Sequence, residues 1–216
     1  MGVLFVSAAI VVLDQLTKLM VKGISIPWLG IHFTGVPLGS SRSVWGEYLR
    51  ITYIENPGMA FGIDIGYKLF LSIVSIAASI GIIAYLWRMR TSPWLYRLSL
   101  SMILGGAIGN LIDRVFYGVI FDDGGMFHGK VVDFIDADFI NINLLGMHLN
   151  RFPVFNVADA SVTCGVVLLL LVHHRATRTT EELTPALAGE QGTHVGAGPD
   201  GDLGGHIESD RSQPQG

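Results

Sequence analysis

The chain has 216 residues, half of them hydrophobic and only 15% charged, with a mean hydropathy of +0.49, which excludes an ordinary water-soluble domain. Fourteen Lys and Arg against eighteen Asp and Glu give a formal charge of -4, so no basic surface is expected to follow a phosphate backbone and nucleic acid is set aside as a partner. One cysteine, Cys164, rules out an intramolecular disulfide, and no Cys/His cluster has zinc-ligand spacing, so neither a metal nor a redox cofactor is expected.

Four stretches, about 3–22, 67–87, 98–117 and 155–174, are apolar and long enough to cross a membrane, which takes about 20 helical residues. The first starts with VLFVSAAIVVL and continues into DQLTKLMVK with no basic leader and no A-x-A site, so it is expected to stay as an anchor rather than be cleaved. The connection from about 23 to 66 contains a Gly/Ser-rich turn and the β-prone run YLRITYI, and short strands near the membrane surface are expected there. Between the second and third spans, RMRTSPWLYR carries Arg88, Arg90 and Arg97 and no acid, which makes that loop cytoplasmic by the positive-inside rule. Segments 23–66 and 118–154 then lie outside, and both termini inside. Cys164, among Val and Leu of the fourth span, is expected to be a buried small apolar residue.

Residues 1–174 carry eleven acids and eleven bases, while the stretch from Arg175 onward holds seven acids and three arginines. That Gly-rich polar stretch lacks the apolar area to offset its ordering entropy. The division expected is a four-helix transmembrane domain over 1–176 and a disordered cytoplasmic tail over 177–216.

Ionisable residues in spans are functional candidates, because burying them without purpose is unfavourable. Asp14 and Lys18 stand four apart on one helix face and can neutralise each other. Asn56-Pro57-Gly58 forms a turn signal that delivers Asn56 to the head of the second span. GGAIGNLIDR places Asn110, Asp113 and Arg114 on neighbouring positions of the third span, its glycines suited to close helix approach. FNVAD places Asn156 and Asp159 at the start of the fourth, and Asp133 and Asp136 sit in the acidic run just before it. The up-and-down alternation of four spans gathers all of these at the outer end. Arg114 has a plainer reading as a snorkelling side chain neutralised by Asp113.

With several aspartates on one face and no Ser/Lys or Cys/His arrangement, the available chemistry is proton transfer by paired carboxylates. Two close carboxylates share a proton, one acting as base and one as acid, which suits water attack on a peptide carbonyl. A proton-coupled transporter and a non-catalytic scaffold are the other classes these residues allow.

The ordered motifs LDQLTK, NPGMAFG, GGAIGNLIDR, VVDF and FNVAD, across about residues 10–170, resemble those of the bacterial lipoprotein signal peptidases (signal peptidase II). The resemblance implies an all-α membrane protein of four transmembrane helices with a small β-containing periplasmic subdomain. It implies a monomeric inner-membrane aspartic peptidase, without metal or cofactor, that acts on a diacylglyceryl-prolipoprotein among membrane lipids. By motif, Asp133 and Asp159 are the implied catalytic pair. Asn56, Gly58, Asn110, Arg114 and Asn156 are implied to line the site, with Asp14, Lys18 and Asp113 supporting it. Three departures from the family pattern stand out: Met59 in NPGMAF, longer outer connections after Asp113 and after VVDFID, and the acidic tail.

Overall fold

The computed structural model describes residues 2–58, 65–138, 142–144, 147–149 and 152–191. Two compact units, Met1–His174 and Arg175–Gly216, divide the chain. The first holds α1 (Leu4–Lys22), β1 (Gly23–Ile26), β2 (Ile31–Thr34), β3 (Ser41–Trp45), β4 (Leu49–Asn56), α2 (Ile65–Arg88) and α3 (Trp94–Ile112). After α3 come a five-residue π-helical turn (Asp113–Tyr117), one further helical turn, α4 (Gly118–Ile120), and the strands β5 (Val131–Ala137), β6 (Ile142–Leu144) and β7 (Met147–Leu149). The last helix, α5, is Val157–Gln191.

Four helices are long and apolar enough to cross a membrane: Leu4–Lys22, Leu69–Arg88, Trp94–Ile120 and Val157–His174. They match the four stretches read from hydropathy. Their outward faces are apolar, with Phe5, Met20, Ile80 and Leu170 exposed, whereas Asp14, Lys18, Asp113 and Asn156 are completely buried. This inside-out distribution suits a bundle whose solvent is hydrocarbon and whose polar groups face one another. Cys164 departs from expectation: it is exposed, because its position on α5 turns it away from α3, which instead packs against the neighbouring Gly165. α5 also runs on to Gln191, into the stretch read as disordered, where Glu181, Glu182, Leu183 and Ala186 are good helix formers. Residues 192–216, like Met59, lie outside the described residues.

The helices approach closely where GGAIG predicted they would. A Cβ on Gly105 would lie 2.9 Å from the Ile10 Cβ of α1, one on Gly109 would lie 2.6 Å from the Asp14 carboxylate, and one on Gly106 would collide with the Ala158 carbonyl of α5. Small residues thus let α3 press against α1 on one side and α5 on the other. Apolar packing flanks this polar layer. Val3, Leu86, Leu100 and Leu104 form one buried cluster, and Val21, Tyr53, Tyr117, Val132 and Phe134 form another where the bundle meets the strands.

The expected strands after α1 are present, and one that was not expected joins them. β1 and β2 pair as a hairpin, while β3, β4 and β5 form an antiparallel sheet in that order. VVDFIDA, which the sequence places in a connection, is the strand β5, almost entirely buried. Burial on both faces removes the apolar/polar alternation that would have marked it as a strand.

The layer of charge between the helices is closed by three donors on one ammonium. Lys18 Nζ lies 2.8 Å from Asp14 and 2.7 Å from Asp113, and it donates to the Asn110 side-chain oxygen at 2.9 Å. Asp14 also accepts the backbone N–H of Ala158 (2.9 Å), which holds the first turn of α5. Asp113 accepts the backbone N–H of Val132 in β5 (3.2 Å) and the Gln15 amide (2.8 Å). A Lys18→Met variant leaves two buried carboxylates without their counter-ion, and the expected loss is about 3–5 kcal/mol of stability. Thermal unfolding in detergent measures it; an unchanged midpoint would contradict this account of the layer.

Candidate active site

Asp133 is the third residue of β5, paired in register with Ile54 of β4. Asn56, the last residue of β4, stands opposite Val131 and reaches diagonally to Asp133, donating to its Oδ2 at 3.2 Å. The turn that follows keeps this amide in place: the Gly58 N–H donates to the Asn56 side-chain oxygen at 2.8 Å. Gly58 does so at φ +78°, and a Cβ there would lie 2.6 Å from Leu71, so the position favours glycine twice over. Asn56 therefore belongs to the strand and faces Asp133, rather than standing at the head of α2 as its motif suggested.

Asp159 enters from the first turn of α5 and accepts the Asn110 amide at 2.7 Å. Asn156, completely buried, connects the two carboxylates. Its side-chain amide donates to Asp133 at 2.7 Å, its side-chain oxygen accepts the Asp159 N–H at 2.9 Å, and its own N–H faces the Asp159 carboxylate at 3.4 Å. The same amide also donates to Asn110 (3.1 Å), so three asparagines from β4, α3 and the start of α5 surround the pair. Burial first, and then the negative charge of Asp159, push Asp133 up to about 6 from its ordinary 3.8, against the hydrogen bonds from Asn56 and Asn156 and the charge of Lys18.

Other candidates take different places. Asp14 and Lys18 form the expected ion pair, but within the larger layer that includes Asp113. The Asp113 carboxylate is engaged by Lys18, Gln15 and Val132. Arg114 lies on the π-helical turn, its guanidinium 3.5 Å from the Asn110 carbonyl; such widened turns often mark functional sites. Asp136 separates from Asp133 by strand alternation and accepts the Thr52 hydroxyl at 2.7 Å. Among the described residues no three His, Cys, Asp or Glu side chains are grouped as metal ligands.

Two contributors had not been singled out. Gln15 donates to Asp113 and the Gly109 carbonyl and accepts the Tyr117 hydroxyl at 3.0 Å; its adjacency to Asp14 in a span was the available signal. Glu55, beside Asn56, accepts from Lys22, Tyr53 and Lys130, a set that only the strand register brings together.

A family profile described as signal peptidase (SPase) II matches residues 6–175. The lipoprotein signal peptidase of Porphyromonas gingivalis is 38% identical over 192 residues, covering 77% of this chain and 80% of that protein. That of Syntrophomonas wolfei is 35% identical over 163 residues, covering 76% and 86%. Among solved structures, a bacterial membrane enzyme obtained by the in meso method at 2.3 Å resolution superposes with a TM-score of 0.60 at 30% identity, over 82% of this chain and 89% of that one. A second such structure, at 1.9 Å, gives 0.61 at 29% identity over 79% and 91%. Sequence and fold agree over the segment that carries the four spans and both aspartates, and the chain belongs to the signal peptidase II family.

Proposed function

We propose that this protein removes the signal peptide from diacylglyceryl-modified prolipoproteins, cutting N-terminal to the lipidated cysteine, with Asp133 and Asp159 as an acid/base pair acting on water. The observation that carries the reading is Asn156, whose side-chain amide donates to the Asp133 carboxylate while its backbone N–H faces the Asp159 carboxylate and its side-chain oxygen accepts the Asp159 N–H, where β5 meets the first turn of α5. Neutral amides orient the two acids without supplying the positive charge that would ionise both.

Asp133, with its carboxyl raised to about 6, is the natural holder of the shared proton. Ionised Asp159 takes a proton from water as the water oxygen bonds to the scissile carbonyl carbon, and Asp133 donates its proton to the carbonyl oxygen. When the tetrahedral intermediate collapses, the carbon–nitrogen bond breaks, Asp159 returns its proton to the departing amine, and Asp133 recovers its own. In this reading Asn110 and Asn156 orient Asp159 for the water, and Arg114 is assigned to hold a substrate carbonyl. In this reading Asp14, Lys18 and Asp113 support the site without touching substrate.

The domain over 1–176 acts as a monomer in the bacterial inner membrane, with both termini cytoplasmic and the site at the periplasmic face. The outer segments 23–66 and 118–154 flank the substrate, and the tail 177–216 takes no part in the chemistry. The cationic connection between the second and third spans supports this orientation, and the diacylglyceryl chains reach the site from the surrounding lipid.

In detergent, the purified protein should cleave a diacylated prolipoprotein and spare its unlipidated counterpart. Asp133→Asn and Asp159→Asn should each reduce turnover by about 10²–10⁴-fold with helical content unchanged; normal turnover by either folded variant would falsify the two-aspartate mechanism.

The proton affinity of Asp133 gives a separate check. Because its folded value lies above the ordinary 3.8, Asp133 favours the fold below pH 3.8, and that contribution disappears as pH rises through about 6. Asp159→Asn removes the second cause of the shift and leaves burial, the first. Isotope-edited infrared titration should find the Asp133 midpoint below about 6 yet above 3.8; an unmoved midpoint would show that the two carboxylates are not coupled.

A further inference from the structure

Glu55 stands opposite Val132 across the β4–β5 pair, and Asn56 stands opposite Val131. Successive side chains of a strand point to opposite faces, so Glu55 and Asn56 look different ways from the same strand end. On one face Asn56 reaches diagonally to Asp133 (3.2 Å). On the other, Glu55 reaches diagonally the opposite way, accepting from Lys130 at 3.0 Å. The Glu55 carboxylate is only 10% exposed, and its second oxygen is held by Lys22.

Each cation belongs to a different part of the molecule. Lys22 is the last residue of α1, its ammonium 4.5 Å from the Phe121 ring centroid. Lys130 leads directly into β5 and also bonds Asp123 at 2.8 Å, in the connection after α4. The Tyr53 hydroxyl completes the set, donating to Glu55 at 2.7 Å. Burial works to raise the Glu55 carboxyl, and the donors outweigh it, holding it at about 2. The carboxylate therefore stays ionised throughout the neutral range.

The sheet needs such a device here. The β4–β5 register shifts between Ile51 and Ile54, so the pairs before the irregularity do not by themselves set those after it, and a slip of one residue moves a side chain to the other face. We propose that Glu55, clamped by Lys22 and Lys130, is a positioning residue that holds the end of β4 in the register that aims Asn56 at Asp133. The proposal rests on Asp133 being catalytic, although the clamp itself is a matter of geometry.

Glu55→Gln separates position from charge. A glutamine offers one oxygen where two lysines each need an acceptor, so one arm of the clamp opens. Losing a nearby negative charge lowers the proton affinity of Asp133, whereas losing the Asn56 hydrogen bond raises it, so the two explanations predict opposite signs. The measurement is isotope-edited infrared titration of the full-length, substrate-free protein in detergent, with Asp133→Asn identifying the band. The expected result is an Asp133 midpoint above the wild-type value in Glu55→Gln, no further rise when Glu55→Gln is added to Asn56→Ala, and kcat lowered by about 10²-fold with KM retained. A midpoint that stays or falls, or that rises equally in the Asn56→Ala background, overturns the proposal. If Glu55→Gln loses helical content, Lys130→Met opens the more exposed arm and is read the same way. Because the titration needs no turnover, an inactive wild type with the expected shift would count against the proposed function and leave the clamp standing.

Discussion

The arrangement depends on one lysine ammonium buried between membrane-spanning helices. An ammonium there is tolerated only if all its donors are engaged, and the acceptors of Lys18 are chosen so that satisfying it organises everything around it. Lys18 has no lone pair to offer, so the Asn110 oxygen must face it and the Asn110 NH2 must face away, towards Asp159. Through Asp113, the same ammonium anchors a carboxylate that receives the Val132 N–H, one residue before Asp133. Through Asp14, it anchors the acceptor for the Ala158 N–H, one residue before Asp159. Both aspartates are thus placed by backbone contacts to a single ion layer, with neither touching the cation.

Close packing makes that layer possible. Asp14 reaches the first turn of α5 past Gly109, where any side chain would meet the carboxylate. Hydrocarbon around the bundle supplies no hydrophobic drive between helices, so their association relies on such small-residue contacts and on the polar bonds they permit. The glycines and the charges therefore act as one feature: the first let the backbones approach, and the second become satisfiable because they do.

Much of this was legible in the residues, unevenly and for physical reasons. The spans were readable because hydrocarbon demands long apolar stretches, and the Asp14–Lys18 pair because helical spacing fixes which residues share a face. Sequence spacing could not reveal that Asn56 and Asp133 meet, since 77 residues separate them and their contact depends on a strand register with an irregularity in it. For the same reason the contact between Glu55 and Lys130, 75 residues apart, has no signal in the sequence. The strand carrying Asp133 was hidden because both its faces are buried. Asp113 shows the limit of local reasoning: the arginine beside it looked like its partner, while the lysine that neutralises it lies 95 positions earlier, on α1.

Amides, rather than cations, connect the two aspartates, and the choice has a chemical reason. A lysine or arginine between them would stabilise both carboxylates in their charged forms and remove the proton that the proposed mechanism has one of them donate. Asn156 instead donates to Asp133 while accepting from the backbone of Asp159, so it orients the acids and leaves their mutual repulsion largely intact. That repulsion, with burial, raises Asp133. Lys18 approaches no nearer than Asn110, where its charge lowers the proton affinity of Asp133 less than burial raises it. The structural cation is kept one amide away from Asp159, a separation that suits the shared proton of the proposed mechanism.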